Sequence, residues 1–159
     1  WYLGRVAKLR AVRPDISIAT DFIVGFPGET EEDFAETMRL IDEVGFDASF
    51  SFVFSARPGT PAASYPDNTP QEEKLRRLQH LQAVNEAKAT EISRAMLGSV
   101  QRCLVFGTAK KGEGLLAART DNNRVVNFKG DASLIGQMAD IRITEVFPHT
   151  LGGKIAHKE

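Results

Sequence analysis

The sequence predicts an α/β unit joined by a long helix to a small, closed antiparallel β-barrel of the OB-like kind. Three observations lead to this fold. Helical and strand-like apolar periods alternate over residues 1–55, a helical apolar stripe runs through residues 70–97, and short strand-like runs broken by turns follow Ser99. Alternating strands and helices are typical of parallel sheets, and closely spaced short strands are typical of barrels.

The first part of the chain is predicted to be a parallel βαβ unit with a leading helix. The helix covers residues 2–12, the strands cover residues 16–24 and 48–54, and the helix between them ends at Val44. Gly45 is suited to cap that helix. Two parallel strands cannot bury both faces, so we expect this unit to belong to a larger sheet that the chain does not contain. The alternative is that the long helix and the barrel cover the two strands.

The long helix is predicted to begin after a loop rich in Pro, Gly, Ala and Ser at residues 56–69. The run Thr69–Glu72 offers an N-cap, a first-turn proline and a capping-box glutamate, and Gly98 is a natural stop. Five barrel strands are then predicted, at residues 100–106, 115–120, 124–128, 139–146 and 151–156.

The predicted domain boundary lies in the long helix. We expect residues 1–92 to form the first domain, with a linker helix at 70–97, and residues 95–157 to form the barrel.

Composition indicates a globular protein. Of the 159 residues, 42% are hydrophobic and 26% are charged, and no apolar run approaches the length of a membrane span. The single cysteine, Cys103, excludes a disulfide framework, which fits a reducing cytoplasm, and its strand-like context predicts an ordinary strand residue. The chain begins with Trp1 inside a predicted helix, which suggests a piece of a longer protein.

The charge is unevenly distributed along the chain. Residues 1–98 carry 11 Lys and Arg against 15 Asp and Glu, whereas residues 99–159 carry 9 against 6. A mildly basic C-terminal module favours contact with nucleic acid.

The segment Asp21–Thr30, with the sequence DFIVGFPGET, is the most informative part of the chain. A β-prone run leads into Gly25 and Gly28, which allow the backbone to turn and to approach a ligand closely. Thr30 and Asp33 have the spacing of a capping box. A strand, a glycine-rich turn and a helix N-terminus together favour a nucleotide-like cofactor. The alternative is that the glycines serve the geometry of an ordinary βα turn.

A second candidate segment, Ser55–Pro61, follows the other parallel strand. Both segments follow the carboxyl end of a strand, so we expect them at the same edge of the sheet, where α/β barrels carry functional loops. Arg57 is the candidate there for binding an anion or a carboxylate. The alternative is a surface arginine paired with Glu29 or another acid.

Cationic and amide side chains surround two turns of the predicted barrel and predict contact with RNA, because cations bind phosphates and amides bind base edges. Phe128 lies among them as a candidate stacking surface. The RNA-binding candidates are Lys110, Lys111, Arg119, Asn122, Asn123, Arg124, Asn127 and Lys129. The alternative is ordinary turn chemistry of the Asn-Asn pair. On the long helix, Arg76 and Arg77 are predicted to be part of a solvated surface, with contact to RNA as the alternative.

The sequence offers no catalytic constellation. His80, His149 and His157 are scattered, and neither a His/Cys metal spacing, a Ser-His-Asp set nor a P-loop lysine occurs. We therefore expect no catalytic residue and no metal site in this chain, and no activity from the chain alone.

Two segments resemble those of the radical SAM methylthiotransferases: DFIVGFPGET at Asp21–Thr30 and SARPGTPA at Ser55–Ala62. The C-terminal barrel is similar to the TRAM domain of the same enzymes. Gly107, the Lys110–Gly114 turn and the run RTDNNRVVNF at Arg119–Phe128 resemble the branch that modifies tRNA. The resemblance covers essentially the whole chain, in the same order.

This resemblance implies a parent enzyme that adds a methylthio group to carbon 2 of an N6-prenylated adenosine beside the anticodon. It implies S-adenosylmethionine and two 4Fe–4S clusters as cofactors, and the anticodon stem-loop of tRNA as the partner of the TRAM domain. Residues 1–55 would be the last βα units of a partial (β/α)6 barrel. The candidates that the resemblance places near S-adenosylmethionine are Gly25, Phe26, Pro27, Gly28, Glu29 and Arg57.

The sequence departs from the family pattern at two points. In the form Gly-x-Ile-x-Gly-x-x-Glu, Ile23 and Gly25 match, whereas Asp21 replaces the first Gly and Glu29 stands one position late. The Cys-x-x-x-Cys-x-x-Cys motif of the radical cluster is absent, and Cys103 alone cannot hold either cluster.

Two alternatives to this function remain open. One is the sister branch, which methylthiolates an aspartate of a ribosomal protein; the Asn-Asn-Arg run and the basic barrel argue against it. The other, for the chain alone, is a non-catalytic RNA-binding module. We also expect self-association through the exposed edge of the parallel sheet, and no contact with membranes.

Overall fold

The computed structural model describes residues 1–110, 112 and 114–156, which divide into two compact units, Trp1–Ala89 and the described residues from Thr90 onward. Three helices and two strands precede the barrel: α1 (Tyr2–Val12), β1 (Ala19–Val24), α2 (Glu31–Val44), β2 (Ala48–Val53) and α3 (Gln71–Ala95), with a 3-10 turn at Pro61–Ser64. The barrel strands are β3 (Val100–Thr108), β4 (Leu115–Arg119), β5 (Val125–Lys129), β6 (Met138–Val146) and β7 (Leu151–Ile155), with a 3-10 turn at Ala132–Leu134. None of the helices in the described ranges has the length and apolarity needed to cross a membrane.

The first unit is the predicted βαβ arrangement. Strands β1 and β2 are parallel, with Ala19 opposite Ala48 and Val24 opposite Val53. The helix between them begins with a complete capping box, in which Thr30 and Asp33 exchange hydrogen bonds, and ends at Gly45 in the left-handed conformation. Its apolar face packs against one face of the sheet, and the buried core consists of Val6, Phe22, Val24, Phe34, Ile41, Val44, Phe46 and Leu81.

The opposite face of this two-stranded sheet is open. Ile23, Phe50 and Phe52 are exposed by 59%, 68% and 58%, because the period of two places them away from the helices. This exposed apolar face agrees with the prediction that the two parallel strands belong to a larger sheet. Strand β1 also begins three residues later than predicted, because the Ile16 N–H donates to the Arg13 carbonyl in a turn.

The second unit is a closed barrel with the strand order β3-β4-β5-β7-β6. The prediction of an entirely antiparallel barrel is wrong at one pair, since β5 and β7 run parallel. The reason is topological: directions cannot alternate around a closed ring of five strands, so at least one neighbouring pair must be parallel. The barrel core consists of Met96, Cys103, Val105, Leu116, Ala118, Val126, Phe128, Ile141, Ile143 and Leu151.

Candidate functional site

In the glycine-rich turn after β1, the Glu29 side chain accepts a hydrogen bond from the backbone at the start of the same turn. The Gly25 N–H donates to Oε1 of Glu29 over 3.0 Å, and the Glu29 N–H donates to the Phe26 carbonyl over 2.9 Å. Gly25 and Gly28 have φ values of +68° and +87°, a region that side chains rarely adopt. The Glu29 carboxylate thus makes its contacts within the fold and holds the shape of the turn.

Helix α3 fixes this turn through a buried arginine. Arg77 is 5% exposed and donates to the Glu29 carbonyl over 3.1 Å and to Glu29 Oε1 over 2.8 Å. It also donates to Oε1 of Glu73, one helical turn earlier, over 3.0 Å. The interpretation of Arg77 as a solvated or RNA-facing residue is therefore wrong. Arg76 next to it is half exposed and pairs with Glu73 and Glu31.

Lys74 is the second buried cation against the turn. A Cβ at Gly25 would lie 2.7 Å from the Lys74 Cγ atom, so a side chain at this glycine would collide with the lysine stem. The ammonium group of Lys74 pairs with Asp67 and lowers the pKa of that carboxyl, chiefly through the hydrogen bond. The positions that α3 buries are Lys74, Arg77, Leu81 and Asn85.

The apolar stripe predicted for α3 packs inward for the most part: Leu81 is buried, and Leu78 and Val84 pack against the core of the first unit. Leu75, in the predicted apolar stripe, is 44% exposed, while the buried positions include two cations that neutralise acids of the first unit. The spacing of three and four residues between buried positions was available in the sequence. The pattern of apolar residues does not show this spacing, because two of the buried positions are a lysine and an arginine, which are rarely buried unless paired.

Aromatic residues lie beside the glycine-rich turn. The Phe26 ring contacts Phe54 edge to face with centroids 5.1 Å apart, and Tyr65 with centroids 6.2 Å apart. Phe26 and Tyr65 remain about half exposed. Arg57 is also exposed and makes no ion pair within the described part of the chain, since Glu29 is taken by Arg77. Exposed rings of this kind fit the planar face of a nucleoside-like group.

A separate groove of about 420 Å³ lies between β2 and α3. Asn85 lines it and is 7% exposed, and neither polar atom of its side chain has a hydrogen-bond partner among the described residues. Both carboxylates that line the groove, Asp47 and Glu86, would repel phosphate.

The predicted RNA-binding residues at the turn between β4 and β5 form two groups, one that contacts the end of α3 and one on the outside of the barrel. Asn122 donates to the Met96 sulfur over 3.2 Å, and Arg124 Nε donates to Ser93 Oγ over 2.8 Å. These two side chains therefore contact the end of α3 and the residue that follows it. Asn123 has a φ of +65°, as the turn reading of the Asn-Asn pair anticipated.

Arg119 and Asn123 form the second group, on the outside of the barrel. Arg119 NH1 donates to Asn123 Oδ1 over 2.8 Å, and the Arg119 guanidinium lies 5.2 Å from the centre of the Phe106 ring. Lys110 and Lys129 are exposed, whereas Asn127 is half-buried on β5. Lys111 lies outside the described residues.

Phe128 is not available as a stacking surface. It is 1% exposed, because the alternation along β5 points Val126 and Phe128 into the barrel. The exposed ring on this side of the barrel, next to Arg119, is that of Phe106, at 47%. The alternation along β3, where Cys103 and Val105 are buried, was the signal that could have found it.

Cys103 and the acidic residues do not suggest a metal centre. Burial raises the pKa of the Cys103 thiol to about 11, which disfavours the thiolate that a metal would need. Within residues 1–110, 112 and 114–156, no cluster of three or more His, Cys, Asp or Glu side chains is placed to hold a metal ion. The one cysteine of the chain does not fit a 4Fe–4S cluster, which needs several thiolates.

Residues 94–156 match the family model described as the TRAM domain, and the match encloses all five barrel strands. The chain as a whole is similar to proteins named tRNA-2-methylthio-N(6)-dimethylallyladenosine synthase. Those of Francisella tularensis subsp. novicida (strain U112) and subsp. tularensis (strain SCHU S4 / Schu 4) are each 58% identical to it over 151 residues. The match covers 95% of this chain and 34% of each relative, so the chain spans about a third of the length of the curated relatives it matches. The predicted resemblance to the tRNA-modifying radical SAM methylthiotransferases is confirmed.

Proposed function

We propose that this chain is part of a tRNA methylthiotransferase that adds a methylthio group to carbon 2 of an N6-prenylated adenosine beside the anticodon. The observation that carries the proposal is the 58% identity over 95% of the chain with relatives named for that product. The enzyme would work in the cytoplasm, where its tRNA substrate is found. The domain division is proposed at residues 1–92 and 95–157.

The barrel is proposed to bind the anticodon stem-loop of tRNA. The TRAM match and the exposed cations Lys110, Arg119 and Lys129 support this role, because phosphate neutralisation dominates affinity for RNA. Asn123 positions Arg119, while Asn122 and Arg124 shape the turn that carries both. Lys111 and Asn127 remain candidates for the same surface.

The turn Gly25–Glu29 is proposed to bind the adenosine side of S-adenosylmethionine, which supplies both the methyl group and the radical when bound. Gly25, Pro27 and Gly28 shape the backbone, Phe26 offers an exposed ring, and the exposed Arg57, which has no ion pair among the described residues, is a cation for the carboxylate of the cofactor. Glu29 is assigned a positioning role, since its carboxylate is held by Gly25 and Arg77.

Both 4Fe–4S clusters are proposed to be held by residues outside this chain. We therefore expect the chain alone to be inactive. The open face formed by Ile23, Phe50 and Phe52 supports further strands in the complete enzyme. In the isolated chain we expect the same sheet to drive self-association, and a monodisperse monomer in light scattering would contradict that.

Mass spectrometry of tRNA nucleosides tests the proposed reaction. A strain that lacks the parent gene should lose methylthiolated adenosine. The complete protein should restore the modification, and the 159-residue chain should not. If the modification never disappears, the proposed substrate is wrong, and the sister reaction on a ribosomal protein becomes the one to examine.

A further inference from the structure

We propose that the outer face of β3 binds an unpaired nucleobase of the RNA, with Phe106 as the stacking surface. This inference rests on the RNA-binding function proposed for the barrel and names the chemical group that the barrel recognises. We call the surface the Phe106 face, and it consists of Leu104, Phe106, Arg119 and Met138.

Strand register brings these four side chains together. Leu104 lies directly opposite Met138 of β6 and directly opposite Arg119 of β4. Side chains opposite each other on neighbouring strands share a face, with Cβ atoms about 5 Å apart. Phe106 lies where the register between β3 and β4 shifts, and such irregularities redirect a side chain. Its ring contacts the Arg119 guanidinium, so the row ends in an aromatic and cationic pair.

The Phe106 face is apolar at its centre and exposed. Leu104, Phe106 and Met138 are exposed by 46%, 47% and 47%, although neighbouring positions of the same strands bury their side chains in the barrel. Contiguous exposed apolar side chains on a small domain mark a binding surface more often than single ones do.

Charge decides which occupant suits this surface. Residues 94–156 carry nine Lys and Arg against five Asp and Glu, and Arg102 and Lys110 lie exposed on either side of the Phe106 face along the chain. A planar apolar surface among cations suits a base whose flanking phosphates are neutralised. A base inside a helix presents no free ring face, so the occupant must come from a loop or another unpaired segment.

The test is binding of the 159-residue chain to a fluorescein-labelled oligoribonucleotide of about eight nucleotides, single-stranded or annealed to its complement. Phe106→Ala should weaken single-strand binding roughly 5- to 150-fold, since stacking on an aromatic side chain contributes on that scale. Phe106→Leu, which keeps apolar area but lacks a ring, should weaken it similarly. Phe106→Tyr, which keeps an aromatic ring, should retain an affinity within about threefold of that of the wild type.

Phe147 provides a matched control, because it is exposed by 49% on the same barrel but lies beyond the opposite end of β6 from Met138. Phe147→Ala should leave binding unchanged. The salt slope of binding should also persist in Phe106→Ala, since no phosphate contact is removed.

The outcomes separate the two levels of the proposal. No salt-dependent RNA binding by the wild-type chain would overturn the RNA-binding function itself. Wild-type binding that Phe106→Ala and Phe106→Leu leave intact would overturn the base-stacking role alone. Equal losses on single-stranded and duplex RNA would also overturn it, since a duplex offers no free base.

Discussion

Replacement of Arg77 tests whether α3 holds the glycine-rich turn. In Arg77→Met the apolar stem is largely retained, while the bonds to the Glu29 carbonyl, Glu29 Oε1 and Glu73 Oε1 are lost. The Glu29 side chain is 11% exposed, so its carboxylate would keep its burial but lose its cation. Removal of one partner of a buried ion pair costs about 3–5 kcal/mol.

The lower end of that range applies here. Glu29 still accepts a bond from the Gly25 N–H, and Glu73 still has Arg76 as a partner. We therefore expect Arg77→Met to lower the free energy of unfolding by about 3 kcal/mol. With a urea m-value of about 1–1.5 kcal/mol/M for a unit of this size, the midpoint should fall by about 2–3 M.

The assay is urea unfolding followed by circular dichroism at helical wavelengths, because α1, α2 and most of α3 belong to the first unit. Arg76→Met is the matched control: Arg76 shares Glu73 and Glu31 with Arg77 but is half exposed, and exposed ion pairs contribute little. Equal midpoints for the two variants would refute the reasoning. The double variant with Glu29→Gln should lose less than the sum of the single losses, since the two side chains act as a pair.

Three further changes have defined outcomes. Thr30→Ala removes the capping box of α2 and should lower the free energy of unfolding by about 1 kcal/mol in the same urea assay, whereas Thr30→Ser should not; equal losses would rule out a capping role. Asn85→Leu should stabilise the first unit by about 1 kcal/mol, because it replaces a buried amide that has no hydrogen-bond partner among the described residues; a loss of stability would show that the amide is satisfied. Burial raises the pKa of the Cys103 thiol from 9.0 to about 11. The protonated thiol therefore contributes to the free energy of unfolding below pH 9, and this contribution is lost as the pH rises to 11. Alkylation of Cys103, followed by mass spectrometry, should accelerate up to about pH 11 in the folded chain but level off near pH 9 in urea, and coincident profiles would contradict its burial.

The elements of the fold could be predicted because local signals and tertiary packing agree. The capping box at Thr30, the glycine at position 45 and the alternation along β2 each specify an element boundary or face from neighbouring residues alone. Closure of the barrel was also predictable, but the parallel pairing of β5 and β7 was not, because it depends on the order of strands around the ring.

The candidate site was predicted less completely, because several side chains have partners far away in sequence. Glu29 and Arg77 are 48 residues apart, so their ion pair leaves no local pattern, and Arg77 was predicted to lie on the surface. Phe128 is predicted as the stacking surface because it stands among polar turn residues, although strand alternation points it inward. Proximity in sequence was therefore a poor guide to which aromatic ring is exposed.

The most direct test of the account is the salt dependence of binding between the 159-residue chain and a tRNA anticodon stem-loop. The exposed cations Arg102, Lys110, Arg119 and Lys129 suggest neutralisation of about three or four phosphates. The account predicts measurable binding whose logarithm falls with the logarithm of salt concentration at a slope of about −2 to −4. Absence of binding at low salt, or binding that does not weaken with salt, would contradict a tRNA-binding role for the barrel.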